Sequence, residues 1–189
     1  MGRMRKEVLI GGFGGQGVIL ASVILGRAVA VYEGLHAVQT QAYGPESRGG
    51  ASRAEVVISD EPIDYPKTLK PDYAVLLSQQ AYEKYLPLVK EEGHVIVEKD
   101  LVPRRNEELE KKFKVYAIPL TKIAEENTGL SLTMNILTLG GLVKLTGIVS
   151  EDAIEKAVLD LVPKGTEQTN LKALKKGFEI GEKALKGEL

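Results

Sequence analysis

The chain of 189 residues contains no cysteine. That excludes disulfides, thiolate nucleophiles, cysteine-ligated zinc and any ordinary iron–sulfur cluster held by this chain alone. Histidine is scarce too: only His36 and His94 occur, in no His-rich motif, so a metal site is not expected. No apolar stretch of about 18 residues runs free of charge, and the apolar part of the leading MGRMRKEVLIGG is too short for a signal peptide. The chain is therefore expected in the cytoplasm, with no membrane partner. Neither charge sign dominates, since 25 Lys+Arg stand against 26 Asp+Glu for a formal charge of -1. With a pI near 6.2 and no long basic stripe, nucleic acid is not an expected partner. There is no internal repeat and no low-complexity tract. Redox chemistry involving such a chain would have to borrow its redox centres.

What is present is an apolar content of 43%, enough to bury one sizeable core. One domain over 1–189 is expected, with the sheet within 1–119 and a mainly helical part over 120–189. KEVLI (6–10) reads as a strand, and residues 15–33 as a buried helix ended by Gly34. HAVQT (36–40), SRAEVVI (52–58), DYAVLLS (72–78), HVIVE (94–98) and KVYAIP (114–119) read as further strands. SRAEVVI alternates, whereas DYAVLLS is a continuous apolar run suited to a central parallel strand. QAYEKYLPLV (80–89) reads as a helix that Pro87 breaks or kinks. Helices are expected over 122–126, 133–145 and 151–161, the last capped by Ser150 and stopped by Pro163. A final helix places Leu171, Leu174, Phe178, Gly181 and Leu185 on one stripe beneath a lysine-rich surface, for core packing or for docking of a partner. The expected architecture is α/β: a Rossmann-like three-layer αβα sandwich with a mostly parallel sheet and a helical C-terminal portion.

Residues 10–22, IGGFGGQGVILAS, stand where the first strand gives way to the first helix. Gly12, Gly14 and Gly17 form G-x-G-x-x-G in that setting. A side chain there would block an anion from the amides at the helix N-terminus, where the helix dipole favours negative charge. Gly12, Gly14, Gly15 and Gly17, with Gln16 expected to be exposed between them, are placed to cradle a phosphate or a neighbouring loop. The alternative is a tight turn with close helix–strand packing and nothing bound. A dinucleotide site also needs an acidic residue at the end of the second strand. Glu33 falls before that strand and its far end reads QTQ (39–41), so NAD becomes a minority reading.

After the second strand comes QTQAYGPESRGGASR (39–53), with turn chemistry at Gly44-Pro45 and polar groups at Tyr43, Glu46, Arg48 and Arg53. GGFGGQGV (11–18) together with TQAYGPESRGGASRAEVVIS (40–59) resembles the γ subunit of the 2-oxoacid:ferredoxin oxidoreductases. AVQTQAYGPESRGG and EPIDYP (61–66) are most similar to the 2-oxoglutarate type, though the pyruvate and branched-chain versions share much of the pattern.

The resemblance implies a subunit of an enzyme that oxidises a 2-oxoacid with coenzyme A to an acyl-CoA and carbon dioxide, passing electrons to ferredoxin. It implies α-, β- and δ-type partner subunits that carry thiamine diphosphate and iron–sulfur clusters. This chain holds neither cofactor alone, lacking cysteine and a thiamine-diphosphate motif, and it contributes no catalytic residue. Coenzyme A, as the co-substrate, is the anion most in need of the glycine turn. Tyr43, Glu46, Arg48 and Arg53 are interface or anion contacts on this reading, and surface ion pairs on the plainer one. Thr133 and Asn135 cap or bridge, or satisfy backbone locally. The rivals are a free-standing nucleotide-binding protein and a structural subunit that binds nothing.

Overall fold

A computed structural model of the chain describes residues 4–42 and 51–189. Among the described residues, six strands form one sheet: β1 (Arg5–Gly12), β2 (His36–Gln41), β3 (Ser52–Ser59), β4 (Tyr73–Leu76), β5 (His94–Glu98) and β6 (Lys114–Ile118). Their order across the sheet is β2-β3-β1-β4-β5-β6. The pairs β1–β4, β4–β5 and β5–β6 are parallel, while β3 runs antiparallel to both β1 and β2. The sheet is thus mostly parallel, with β3 the one reversed strand.

The first helix, α1 (Val18–Arg27), passes into a π-helical turn (Ala28–Tyr32). It starts later than residue 15 because Gly15 and Gly17 have φ of 90° and 73°, which a right-handed helix cannot contain. Gly34, at φ 67°, ends it as expected. The next helix, α2 (Gln79–Tyr85), is capped by the Ser78 hydroxyl and gives way at Leu86–Leu88, where Pro87 sits. A short α3 (Glu107–Glu110), capped by Asn106, has too little apolar content to stand out in the sequence. Then come α4 (Leu120–Thr128), α5 (Met134–Thr146), α6 (Glu151–Leu161) and α7 (Glu167–Leu185). The Ser150 cap forms, its hydroxyl accepting the Ala153 N–H at 3.0 Å.

Two apolar cores lie on opposite faces of the sheet. Val8, Ile10, Ala54, Val56 and Ile58 face α1 and the helices α4–α7. Leu9, Ala74, Leu76, Val95 and Val97 face α2 and Leu109 of α3. The layers are helix, sheet and helix.

Despite the alternating pattern of β3, Ala54 to Ser59 are all buried, Glu55 included, because β3 is interior to the sheet and covered on both sides. One packing expectation is corrected: the final helix is rotated from its expected stripe. Its buried residues are Ala173, Leu174, Gly177, Ile180 and Gly181, while Leu185 is exposed. A Cβ on Gly177 would lie 2.1 Å from the Leu137 carbonyl oxygen and 2.9 Å from the Gly140 Cα. The α5–α7 contact is therefore backbone against backbone, and glycines rather than leucines orient α7.

Candidate functional site

The connections reverse direction between β1 and β4. From β1 the chain crosses one face through α1, and from β4 it crosses the other through α2. Such a switch point leaves a crevice at the carboxyl ends of the strands. The glycine turn lies there, and its glycines have different tasks. A Cβ on Gly12 would lie 2.4 Å from Gln16 Oε1, and one on Gly17 2.3 Å from Asn135 Nδ2. Both positions serve close packing. Gly15 needs its positive φ. Gly14 has no positive φ, and a Cβ there would point into open space.

Gln16 corrects the expectation of an exposed residue: it is only 6% accessible. Its Oε1 accepts the Phe13 N–H at 2.8 Å, and its Nε2 donates to the Leu77 carbonyl at 2.9 Å. It ties the turn to the end of β4 across the switch point, and both ends of its amide are engaged. The sequence pattern carries no signal for this, because a glutamine among glycines reads as solvated until β4 is known to be adjacent.

Among the described residues, the N–H groups of Gly14, Gly15 and Gly17 have no hydrogen-bond partner. α1 has no side-chain cap at Gly17 and no acidic residue in its first turn. No described residue compensates its N-terminal charge, and the turn presents donors to an anion.

Beside Gly17 opens a mainly apolar cleft of about 460 Å³, walled by Leu20, Leu130, Leu132, Val162 and Pro163. Asn135 joins the cleft to the turn, its Nδ2 donating to the Gly17 carbonyl at 3.3 Å while its Oδ1 accepts the Ile136 N–H at 2.9 Å. Thr133 also lines the cleft, with its hydroxyl donating to the Leu130 carbonyl at 2.8 Å. Asn135 is thus a bridge and Thr133 a local cap. Glu33 is not a ribose ligand, since its Oε1 accepts the Ser150 N–H at 2.7 Å and fastens the end of α1 to α6.

Tyr43, Glu46 and Arg48 lie outside the described residues. Arg53 pairs with Gly11 in the β1–β3 register, at the carboxyl edge of β1 but on the face away from Gln16. It forms an ion pair with Glu55, donates to the Thr68 hydroxyl at 3.3 Å and lies 5.3 Å from the centre of the Tyr85 ring. Arg53 is therefore half-buried and engaged within the fold, and its ion pair is internal, not on the surface.

The same edge holds Tyr82, whose hydroxyl donates to Glu110 at 2.5 Å and accepts the Asn106 N–H at 2.8 Å. Burial and the bond to Glu110 push the phenol up to about 12, so it remains protonated at neutral pH. It holds the loop before α3 and is not poised as an acid or base. Among the described residues, no group of three His, Cys, Asp or Glu side chains is arranged to hold a metal ion. No helix there is long and apolar enough to cross a membrane.

Residues 7–180 match the family model described as pyruvate ferredoxin/flavodoxin oxidoreductase. The chain is 57% identical over 180 residues to 2-oxoglutarate synthase subunit KorC of Methanocaldococcus jannaschii, covering 95% of this chain and 96% of that one. It is 33% identical over 193 residues to ketoisovalerate oxidoreductase subunit VorA of Methanothermobacter marburgensis, which covers 96% of this chain but only 38% of that relative. The solved keto/oxoacid ferredoxin oxidoreductase γ subunit from Geobacter sulfurreducens PCA has 41% identity and a TM-score of 0.84, covering 94% of this chain and 98% of its own. With the fold, the glycine turn and matches of this extent in agreement, the chain belongs to the pyruvate ferredoxin/flavodoxin oxidoreductase family, as a γ-type subunit.

Proposed function

We propose that this chain serves as the γ-type subunit of a cytoplasmic 2-oxoglutarate:ferredoxin oxidoreductase, acting as one domain over its whole length. The 57% identity to the 2-oxoglutarate synthase subunit, against 33% to the ketoisovalerate subunit, favours 2-oxoglutarate over a branched-chain substrate. The complex would convert the 2-oxoacid and coenzyme A to an acyl-CoA and carbon dioxide, releasing two electrons to ferredoxin. Thiamine diphosphate and the iron–sulfur clusters would reside on the α-, β- and δ-type subunits, because this chain has no cysteine to ligate a cluster.

The single observation that carries a role in ligand binding is the set of amides at Gly14, Gly15 and Gly17 that have no partner among the described residues, before an uncapped α1. Such a turn binds an anion through backbone donors and the helix dipole, without a cationic side chain. The phosphates of coenzyme A are the anion that the reaction supplies. In this reading Gly12, Gln16 and Asn135 hold the turn in shape, while the three amides make the contact. Arg53, already paired with Glu55, supports the adjoining edge.

Gly14→Val tests this within the assembled complex. A Cβ at Gly14 meets nothing within 4 Å, so the fold should survive while the approach of an anion is obstructed. The expected outcome is a KM for coenzyme A raised on the order of tenfold or more, with the melting temperature of the isolated chain unchanged, as for loss of charge-assisted hydrogen bonds worth about 1.5 to 3 kcal/mol. An unchanged KM in a fully assembled variant would refute the cradle.

A further inference from the structure

Over β1 and β3, on the face opposite α1, the sheet is covered by a loop, the segment 60–71 between β3 and β4. An unusual set of side chains reaches from the sheet to the loop's backbone. Buried Glu7 accepts the N–H groups of Leu69 and Lys70 at 2.7 and 2.9 Å, while its other oxygen accepts from Arg5 Nε at 3.1 Å. Buried Glu55 accepts the Thr68 N–H at 3.0 Å. Arg5 Nη2 donates to the carbonyls of Tyr65 and Lys67 at 2.9 and 3.2 Å. At its ends, Asp60 accepts the Met4 N–H and Asp72 accepts the Glu7 N–H.

Burying a carboxylate is unfavourable unless its lone pairs are well matched, and here two are buried to hold a loop. The loop contributes little apolar packing in return. Tyr65 and Leu69 are 50% and 68% accessible, and Pro62 and Pro66 are exposed. A recess of about 300 Å³ lies between Arg5, Pro62, Ile63, Tyr65 and Leu69. A backbone fixed this firmly, with an aromatic and a leucine facing outward, has the form of a preorganised binding loop: ordering is complete before association, and large apolar anchors dominate the contact.

We propose that residues 60–71 form a docking loop for a larger partner chain of the oxidoreductase, with Tyr65 and Leu69 as anchors. This rests on the subunit reading given above. The occupant is a different chain and not a second copy, because in the ketoisovalerate relative this unit makes up only 38% of a longer polypeptide, whose remainder is its covalent neighbour. Arg5 and Asp64 line the recess and Lys67 and Lys70 flank Leu69, so the matching surface offers apolar contacts to the anchors and charge of both signs at its rim.

The test uses the complex assembled from its native subunits. Tyr65→Ala with Leu69→Ser should weaken association of this chain on the order of 30-fold, as for loss of a central anchor. The isolated variant should melt as the wild type does. Glu7→Gln should weaken association less while accelerating amide exchange at Leu69 and Lys70, with the anchors still present. In the wild type, amides of residues 62–70 should gain protection on assembly. Unchanged affinity in the double variant, or no added protection in the wild-type complex, would overturn the docking loop even with the enzyme assembled and active. A wild-type chain that recruits no other subunit would instead remove the subunit reading. Self-association abolished by the double variant would assign the loop to a second copy and refute the proposal. If the double variant fails to fold, the wild-type exchange measurement and Glu7→Gln still decide.

Discussion

On one face of the sheet, α1 and α4–α7 bury aliphatic side chains against β1 and β3, and α5 is apolar almost all round, leaving only Lys144 and Thr146 partly accessible. On the other face, β1 and β3 present Glu7, Glu55 and Arg53 to a loop held by hydrogen bonds and ion pairs. The first kind of cover is non-directional and tolerates sliding, except where glycines bring α5 and α7 into backbone contact. The second is directional and fixes individual backbone atoms. The difference teaches that over β1 and β3 the apolar helical cover contributes more of the stability, and the polar loop cover sets the geometry of a surface.

The largest break in this comparison should come from Gly177→Val. The new side chain has no room beside Leu137 and Gly140, so α7 must move from α5. The expected cost is more than about 3 kcal/mol, or failure to fold, read from urea unfolding. A loss below about 1 kcal/mol would mean that the helical layer adapts freely and that the glycines do not set its geometry.

A smaller loss, about 2 to 3 kcal/mol, is expected for Glu55→Ala, which leaves the Thr68 N–H and the Arg53 guanidinium without their carboxylate. Arg53→Ala in the same background should lose little more, because the partner is already gone. Strictly additive losses in this double-mutant cycle would show that the pair is not coupled and that the polar face is no network.

The smallest effect concerns pH. His94 packs between Tyr73 and Tyr116, with ring centres 5.6 and 6.3 Å away. Burial, then repulsion from Lys114 and Lys6, lowers its pKa below the ordinary value. The unfolded chain therefore binds the proton more readily than the folded one, so stability should fall as pH drops through the ordinary histidine value of about 6.5 and level off below the folded value. His94→Phe should flatten that slope in melts between about pH 5 and 7. An unaltered slope in the variant would place the titration elsewhere.

Much of this is legible in the sequence. HVIVE and the helix over 151–161 agree with their observed bounds, and the other strands agree within a few residues, because apolar runs and turn residues are local signals. Gly34, Ser150 and Pro87 act as their backbone chemistry requires. The glycine turn was also found, yet not the division of work within it. Gln16 and Asn135 owe their roles to Leu77 and Gly17, 61 and 118 residues distant in the chain. Leu174 and Gly181 of the expected α7 stripe are buried, but Leu185 is not, because contact with α5 and not the helix's own periodicity chose the buried side.

By itself the sequence determined what this chain can ligate and, within a few residues, where most of its elements lie, since composition, caps and conformational preferences act locally. It also determined the family, through two motifs held at a fixed separation. Only the tertiary structure decided that β3 runs against its neighbours, that Glu55 is buried, that Gln16 closes the switch point and that Gly14 stays open. Each of these depends on which distant segment lies within about 3 Å of a polar atom, and only folding brings such segments together.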